Sequence, residues 1–270
     1  MTLSLTCCAV WWLGCNKHES ASNPSTQPAP ASPRELKIAA AADLKFALDQ
    51  AAASFHASHP DISIQITYGS SGNFYSQLAA RAPFDLFLSA DIGYPRRLIA
   101  EGLALKDSQF IYAIGRIVLW TPKGSKLDIT RRGMDALLDP SVKKIAIANP
   151  QHAPYGRAAE AALKSHQLWD KLQDKLVMGE NIAQTAQFAQ TGSADVGIIA
   201  LSLALAPQMK DQGEYFLVPA ADYPPLEQGG VILSWTGDRA AADAFRAFIV
   251  DPEGRAILKD YGFESPPNPG

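Results

Sequence analysis

The hydrophobic and polar positions change period repeatedly along the chain, and each change predicts an element. Ile62-Ser63-Ile64-Gln65-Ile66-Thr67-Tyr68 alternates strictly, the pattern of a strand with one buried face. Before it, Leu36 to Ala42 is a short apolar strand candidate that runs into a helical pattern through Leu44, Phe46, Leu48 and Phe55. Asp43 stands at that join, in a good N-cap position. Gly69-Ser70-Ser71-Gly72 follows the alternating strand and leads into a predicted helix from about Asn73 to Ala80. Asp85 to Ser89 reads as a buried strand, and Arg96 to Gly102 as a short helix closed by glycine. This β–α alternation continues to Tyr112 and predicts a mostly parallel sheet with helices on both faces.

A second βα set begins at the apolar strand Ile117-Val118-Leu119-Trp120. Ile145 to Ala148 is another strand, ending in Asn149-Pro150, and a helix is predicted from about Gly156 to Ser165. Asn181-Ile182 opens a further helix, Val196 to Ala200 is a buried strand, and Val231 to Trp235 a late one. Helices over about Arg239–Ile249 and Glu253–Tyr261 close the pattern. No repeat of 20–50 residues interrupts it. Two α/β lobes suit this order better than one long sheet.

The N-terminus departs from the pattern. MTLSLTCCAVWWLGC is an apolar stretch of signal-peptide length, too short for a stable membrane span. Its ending, Leu13-Gly14-Cys15, looks like a bacterial lipobox, in which the cysteine is lipidated and becomes the mature N-terminus; an apolar leader cut elsewhere is the other reading. Residues 16–34 are rich in Ser, Pro, Ala and Asn without apolar periodicity and read as a disordered tether. All three cysteines, Cys7, Cys8 and Cys15, lie in the leader, so the folded body has neither a disulfide framework nor thiolate metal ligands.

Charge narrows the function classes. The chain of 270 residues carries 24 basic and 27 acidic side chains, a net charge of −3, which offers no broad basic field for nucleic acid. Neither phosphate-loop fingerprint, G-x-G-x-x-G nor G-x-x-x-x-G-K-[ST], occurs. Gly69-Ser70-Ser71-Gly72-Asn73 falls one glycine short of the G-x-S-x-G nucleophile elbow, so a serine hydrolase with His152 as base and Asp85 as orienting acid is a minor alternative. His56 and His59 are three apart but lack a third ligand at helical spacing, and read as solvated surface histidines.

A repeated junction is more informative. Four times a candidate strand ends in small or hydroxyl residues as a helix begins: Ala41-Ala42-Asp43, Gly69-Ser70-Ser71-Gly72, Pro154-Tyr155-Gly156 and Glu180-Asn181-Ile182. Helix N-termini carry unpaired N–H groups and partial positive charge, which together bind anions without a cationic side chain. Small residues let the backbone reach the ligand. Each junction alone is also what ordinary capping produces.

The segments KIAAAADLKFAL, ITYGSSGNFYSQLAARAPFDLFLSAD, FIYAIGRIVLWTPKG, IAIANPQHAPYGRAAEAAL, GENIAQTAQFAQTGSADVGIIALS and ILKDYGFE cover nearly all of Leu36–Glu264. In this order they resemble the molybdate-binding proteins of bacterial ABC importers. The resemblance implies a type II periplasmic-binding-protein fold, two α/β lobes around a ligand cleft, with lobe one formed by residues 35–114 and 223–266 and lobe two by 115–222. It implies a non-enzymatic protein without a cofactor that binds molybdate or tungstate as an oxyanion, with no coordination of the metal by the protein. By position the ligand-binding residues would be Ala42, Asp43, Ser71, Tyr155 and Ile182, with Cys15 the lipidation site. Where many members have a serine this chain has Asp43, whose carboxylate is expected to turn away and cap its own helix at Lys45 and Phe46. Ala200 stands where some members carry a ligand tyrosine, so the Tyr155 hydroxyl is expected to replace that donor. The implied partners are a membrane permease and its ATPase, with no nucleic acid, membrane contact through the lipid anchor alone, and a monomeric protein in the periplasm or on the outer face of the inner membrane. A same-fold protein for sulfate, another oxyanion or a small organic acid is the alternative.

Overall fold

A computed structural model describes residues 34–266; the expectations for the leader, Cys15 and most of the tether fall outside them. The chain opens with β1 (Arg34–Ala41), α1 (Lys45–Ser58), β2 (Ile62–Gly69), α2 (Ser71–Ala79), β3 (Leu86–Ser89), α3 (Gly93–Ala100) and β4 (Phe110–Gly115). It continues with β5 (Ile117–Pro122), α4 (Ile129–Arg132), β6 (Ile145–Ala148), α5 (Pro154–Ser165), α6 (Trp169–Leu172), β7 (Leu176–Gly179), α7 (Ile182–Gln190), β8 (Val196–Ala200), α8 (Leu201–Ala204) and β9 (Gly213–Leu217). β10 (Leu226–Ile232), α9 (Arg239–Val250) and α10 (Pro252–Asp260) complete it.

Two five-stranded sheets result, ordered β2-β1-β3-β10-β4 and β7-β6-β8-β5-β9. Each is mixed rather than mostly parallel. β1 pairs parallel with β2 and β3, but β10 runs antiparallel between β3 and β4. In the second sheet β6 pairs parallel with β7 and β8, whereas β5 runs antiparallel to β8 and β9. The reversed strands are those by which the chain enters the second sheet and re-enters the first. Only Arg116 separates β4 from β5, and the return from β9 to β10 runs through a 3₁₀ turn at Ala220–Asp222, so neither passage between sheets is a βαβ crossover.

Burial explains the composition of the central strands. Ile38, Ala39 and Ala40 of β1 are fully buried, as are all four residues of β6. Strands covered on both faces read as apolar runs, and alanine lets the covering helices approach. The C-terminal helices return to the first sheet: Phe55 of α1 meets Phe245 and Phe248 of α9 edge-on, at centroid distances of 5.2 and 5.6 Å. Each such aromatic pair contributes about 0.5–1.5 kcal/mol beyond area burial. Arg34 at the start of β1 adds a two-pronged pair with Asp238, the N-cap of α9, at 2.5 and 2.8 Å.

The late strand starts five residues, and ends three residues, earlier than its apolar run predicts. β10 starts at Leu226, with a register shift between Gln228 and Gly229. Leu233 and Ser234 have left the ladder and donate to the carbonyls of Asp85 and Leu103. Gln228-Gly229-Gly230 lies inside β10, where neighbouring groups crowd the backbone. A Cβ at Gly230 would stand 2.7 Å from the Phe110 ring, and one at Gly229 would strike Ile92, so glycine here records close approach.

Candidate functional site

All four junctions singled out in the sequence meet in one cleft between the two sheets. Ala41, Ala42, Asp43, Gly69, Ser70, Ser71, Ala90, Ala153, Pro154, Tyr155 and Ile182 line it, closing around a small cavity of about 10 Å³. The five expected ligand residues are therefore brought together. Asp43 is the one charged side chain in the lining.

Three of the contributing helices share a detail that decides what the cleft can hold. At α2, the N-cap Ser70 accepts the N–H of Asn73 at its hydroxyl, and Gly72 donates to the carbonyl of His152 at 2.9 Å. That leaves the Ser71 N–H uncommitted. At α5, Pro154 occupies the first position, where its missing N–H costs nothing. Gly156 and Arg157 donate back to the Ala153 carbonyl, leaving the Tyr155 N–H. At α7, Asn181 Oδ1 takes the N–H groups of Ala183 and Gln184 at 3.0 Å each, leaving that of Ile182. Capping thus satisfies the neighbours and spares one amide per helix, each on a residue of the cleft wall. The Ser71 hydroxyl accepts from the Ala90 N–H at 3.0 Å, so its proton is also free to donate. Three amides, one hydroxyl and three helix N-termini without a cationic side chain suit an anion held by hydrogen bonds.

Two orientations differ from the sequence expectation. Asp43 does not cap: neither its own 3₁₀ turn (Ala42–Leu44) nor α1 has a side-chain cap. Its carboxylate instead crosses the cleft floor. Oδ2 accepts from the Tyr155 hydroxyl at 2.9 Å and from Gln228 Nε2 at 2.6 Å, while the Asp43 carbonyl accepts from the Ser202 hydroxyl at 2.7 Å. Burial without a cation raises its pKa from 3.8 to about 6, against the lowering pull of Gln228 and Tyr155. Consequently the Tyr155 hydroxyl, with its one proton on Asp43, does not replace the tyrosine donor missing at Ala200; Tyr155 has its amide to offer. Gly115 makes this arrangement possible, because a Cβ there would collide with the Tyr155 hydroxyl and stand 2.7 Å from Gln228 Nε2.

The hydrolase alternative is not assembled. His152 Nδ1 lies 3.0 Å from the hydroxyl of Ser70, not Ser71. Asp85 is engaged elsewhere, with the Lys37 N–H, the Thr236 hydroxyl and the Gly237 N–H. His56 is exposed, and His59 stacks on Phe55 at 4.2 Å. Among the described residues no group of three or more His, Cys, Asp or Glu side chains could hold a metal ion. Gln228, Ser202 and Ala90 were not foreseen as parts of the site.

Contacts across the cleft hold the lobes together. Arg157 of α5 pairs with Asp91 at 2.6 Å and donates to the Tyr94 hydroxyl at 3.2 Å, while Asn73 donates to Glu180 at 3.3 Å.

Residues 36–264 match the bacterial extracellular solute-binding protein family. The chain belongs to that family. Among solute-binding proteins it is similar to the molybdate-binding protein ModA of Rhodobacter capsulatus, with 37% identity over 74% of this chain and 77% of that one. It is also similar to ModA of Azotobacter vinelandii, with 36% identity over 85% of this chain and 89% of that one. The solved periplasmic molybdate-binding protein of Azotobacter vinelandii superposes with a TM-score of 0.81 at 35% identity, over 86% of this chain and 99% of its own. The sulfate-binding protein SubI of Mycobacterium tuberculosis shares the fold, with a TM-score of 0.71 at 17% identity over 86% of this chain and 87% of that one. Among the described residues of this solute-binding protein, no helix is long and apolar enough to cross a membrane.

Proposed function

We propose that this protein captures molybdate, with tungstate as a near-isostere, and delivers it to an ABC importer. The observation that carries this is the set of spare donors: the amides of Ser71, Tyr155 and Ile182 and the Ser71 hydroxyl, facing one cleft with no cation in its wall. A tetrahedral dianion presents acceptors in several directions and matches such a set. The ModA relatives, more than 35% identical over most of the chain, support molybdate over sulfate. Ala42 and Asp43 complete the ligand-binding wall, and the metal stays inside its oxygens with no protein ligand. One chain supplies the whole wall, which fits a monomeric protein. The leader and the Ser/Pro-rich segment support lipidation at Cys15 and a tethered domain outside the inner membrane, docking on a permease and its ATPase.

A thermal-shift panel of oxyanions tests the reading. A ligand at 100 times its dissociation constant stabilises the folded state by about 2.7 kcal/mol. Molybdate and tungstate should raise the melting temperature at micromolar concentration, with sulfate and phosphate far behind. A shift with sulfate alone would assign the site to a different anion.

A further inference from the structure

The carboxyl of Asp43 is not explained by anion capture as described so far. It is 1% exposed, lines the cleft, and its Oδ1 has no hydrogen-bond partner among the described residues. A buried carboxylate with one unpartnered oxygen would repel a dianion and would also be the only side-chain acceptor charge in a wall of donors.

We propose that Asp43 takes up a proton when the oxyanion binds, so that the unpartnered Oδ1 becomes a donor in the cleft and the anion is captured together with one proton. This rests on the oxyanion reading of the cleft. The surroundings favour the neutral form. The 3₁₀ turn that carries Asp43 packs on α1, α7 and α8. From α1, Lys45 is turned outward, its Nζ 5.0 Å from the Tyr68 ring and 3.8 Å from Asp49. α7 contributes no titratable side chain, and α8 contributes the Ser202 hydroxyl to the Asp43 carbonyl. Tyr155 from α5, Gln228 from β10 and Tyr112 from β4 are the other groups that act on the carboxyl, and none is a cation. The N–H groups of Asp43 and Leu44 favour the ionised form, yet neither hydrogen-bonds Oδ1. Even without an anion in the cleft, burial holds this carboxyl at a pKa of about 6. An adjacent dianion raises it further.

The experiment is calorimetric titration of the full chain with molybdate from pH 6 to pH 8.5, in buffers of different ionisation enthalpy. One proton taken up per anion weakens binding about tenfold per pH unit well above the carboxyl's pKa, and by about 50-fold between pH 6, where the free carboxyl is half-protonated, and pH 8. About one proton should be absorbed per anion at pH 8. Asp43→Asn should flatten the profile to less than about threefold over the same range. Tyr155→Phe removes a donor that favours the ionised carboxyl, so it should move the onset of weakening to higher pH. Tight wild-type binding with a flat profile and no proton uptake would overturn the proposal while leaving the oxyanion function intact. A slope that survives in Asp43→Asn, or does not move in Tyr155→Phe, would place the proton on another group and overturn it too. Absence of molybdate binding at every pH would instead refute the function itself.

Discussion

Removing one oxygen atom separates bracing from binding at Ser71. The side chain is completely buried, and its Oγ accepts the Ala90 N–H at 3.0 Å. Ser71→Ala leaves that amide without its partner, which costs about 1–3 kcal/mol of stability in the ligand-free protein. For a domain of this size each kcal/mol lowers the melting temperature by about 2–4 °C. The second loss appears only with ligand. A hydrogen bond to a charged acceptor contributes about 1.5–3 kcal/mol, which converts to about tenfold to 150-fold in affinity. Denaturation of the free protein measures the first effect, and calorimetric titration with molybdate the second. Lower stability with unchanged affinity would show that the hydroxyl only braces Ala90 and gives nothing to the anion, leaving the Ser71 amide as the donor from α2.

Gly72→Ala should block closure, because its Cβ would stand 2.5 Å from the His152 carbonyl oxygen of the other lobe and 2.8 Å from the Tyr94 hydroxyl. Affinity should fall at least about tenfold with the free protein's stability within about 1 kcal/mol, since Ala is the better helix former; retained affinity would mean that the lobes do not meet there in the bound state. Arg157→Ala removes the pair with Asp91 at 2.6 Å, whose two side chains are 39% and 38% exposed. Such a pair contributes about 0.2–1 kcal/mol, so stopped-flow release should accelerate by no more than about fivefold and the wild type's release should become more salt-sensitive than the variant's. Asp43→Asn should stabilise the ligand-free protein at neutral pH. The folded carboxyl titrates at about 6 against 3.8 for its ordinary value, so the folded state binds the proton more tightly. Its opposition to folding is absent below about pH 4, grows up to pH 6 and stays constant above, on the order of 3 kcal/mol from two pKa units. Equal stability of both proteins at pH 7 in denaturant titrations would refute this account of the burial.

The β–α alternation and the four junctions were legible because they rest on local rules: period, capping and small residues before a helix. β4, β7 and β9 were not, being short strands on sheet edges whose half-exposed residues show no clean alternation. Asp43 shows where local rules stop. An aspartate at a strand–helix join caps well in isolation, but Tyr155, 112 residues on, and Gln228, 185 residues on, claim its carboxylate. Gln228 itself stands beside two glycines that Ile92 and Phe110 require at their places in the strand. The spare amides have no letter in the sequence at all. Asn181 and Ser70 announce the caps, but which N–H each cap leaves free follows only from the geometry.

Those amides are the centre of the account, and diffraction from crystals grown with molybdate, recorded at the molybdenum absorption edge, tests them most directly. One anomalous peak should lie in the cleft between Ala42, Ser71, Tyr155 and Ile182, with oxygens about 2.7–3.2 Å from the nitrogens of Ser71, Tyr155 and Ile182. A peak outside this cleft, or one whose oxygens meet lysine or arginine side chains while the three amides stay unengaged, would contradict it.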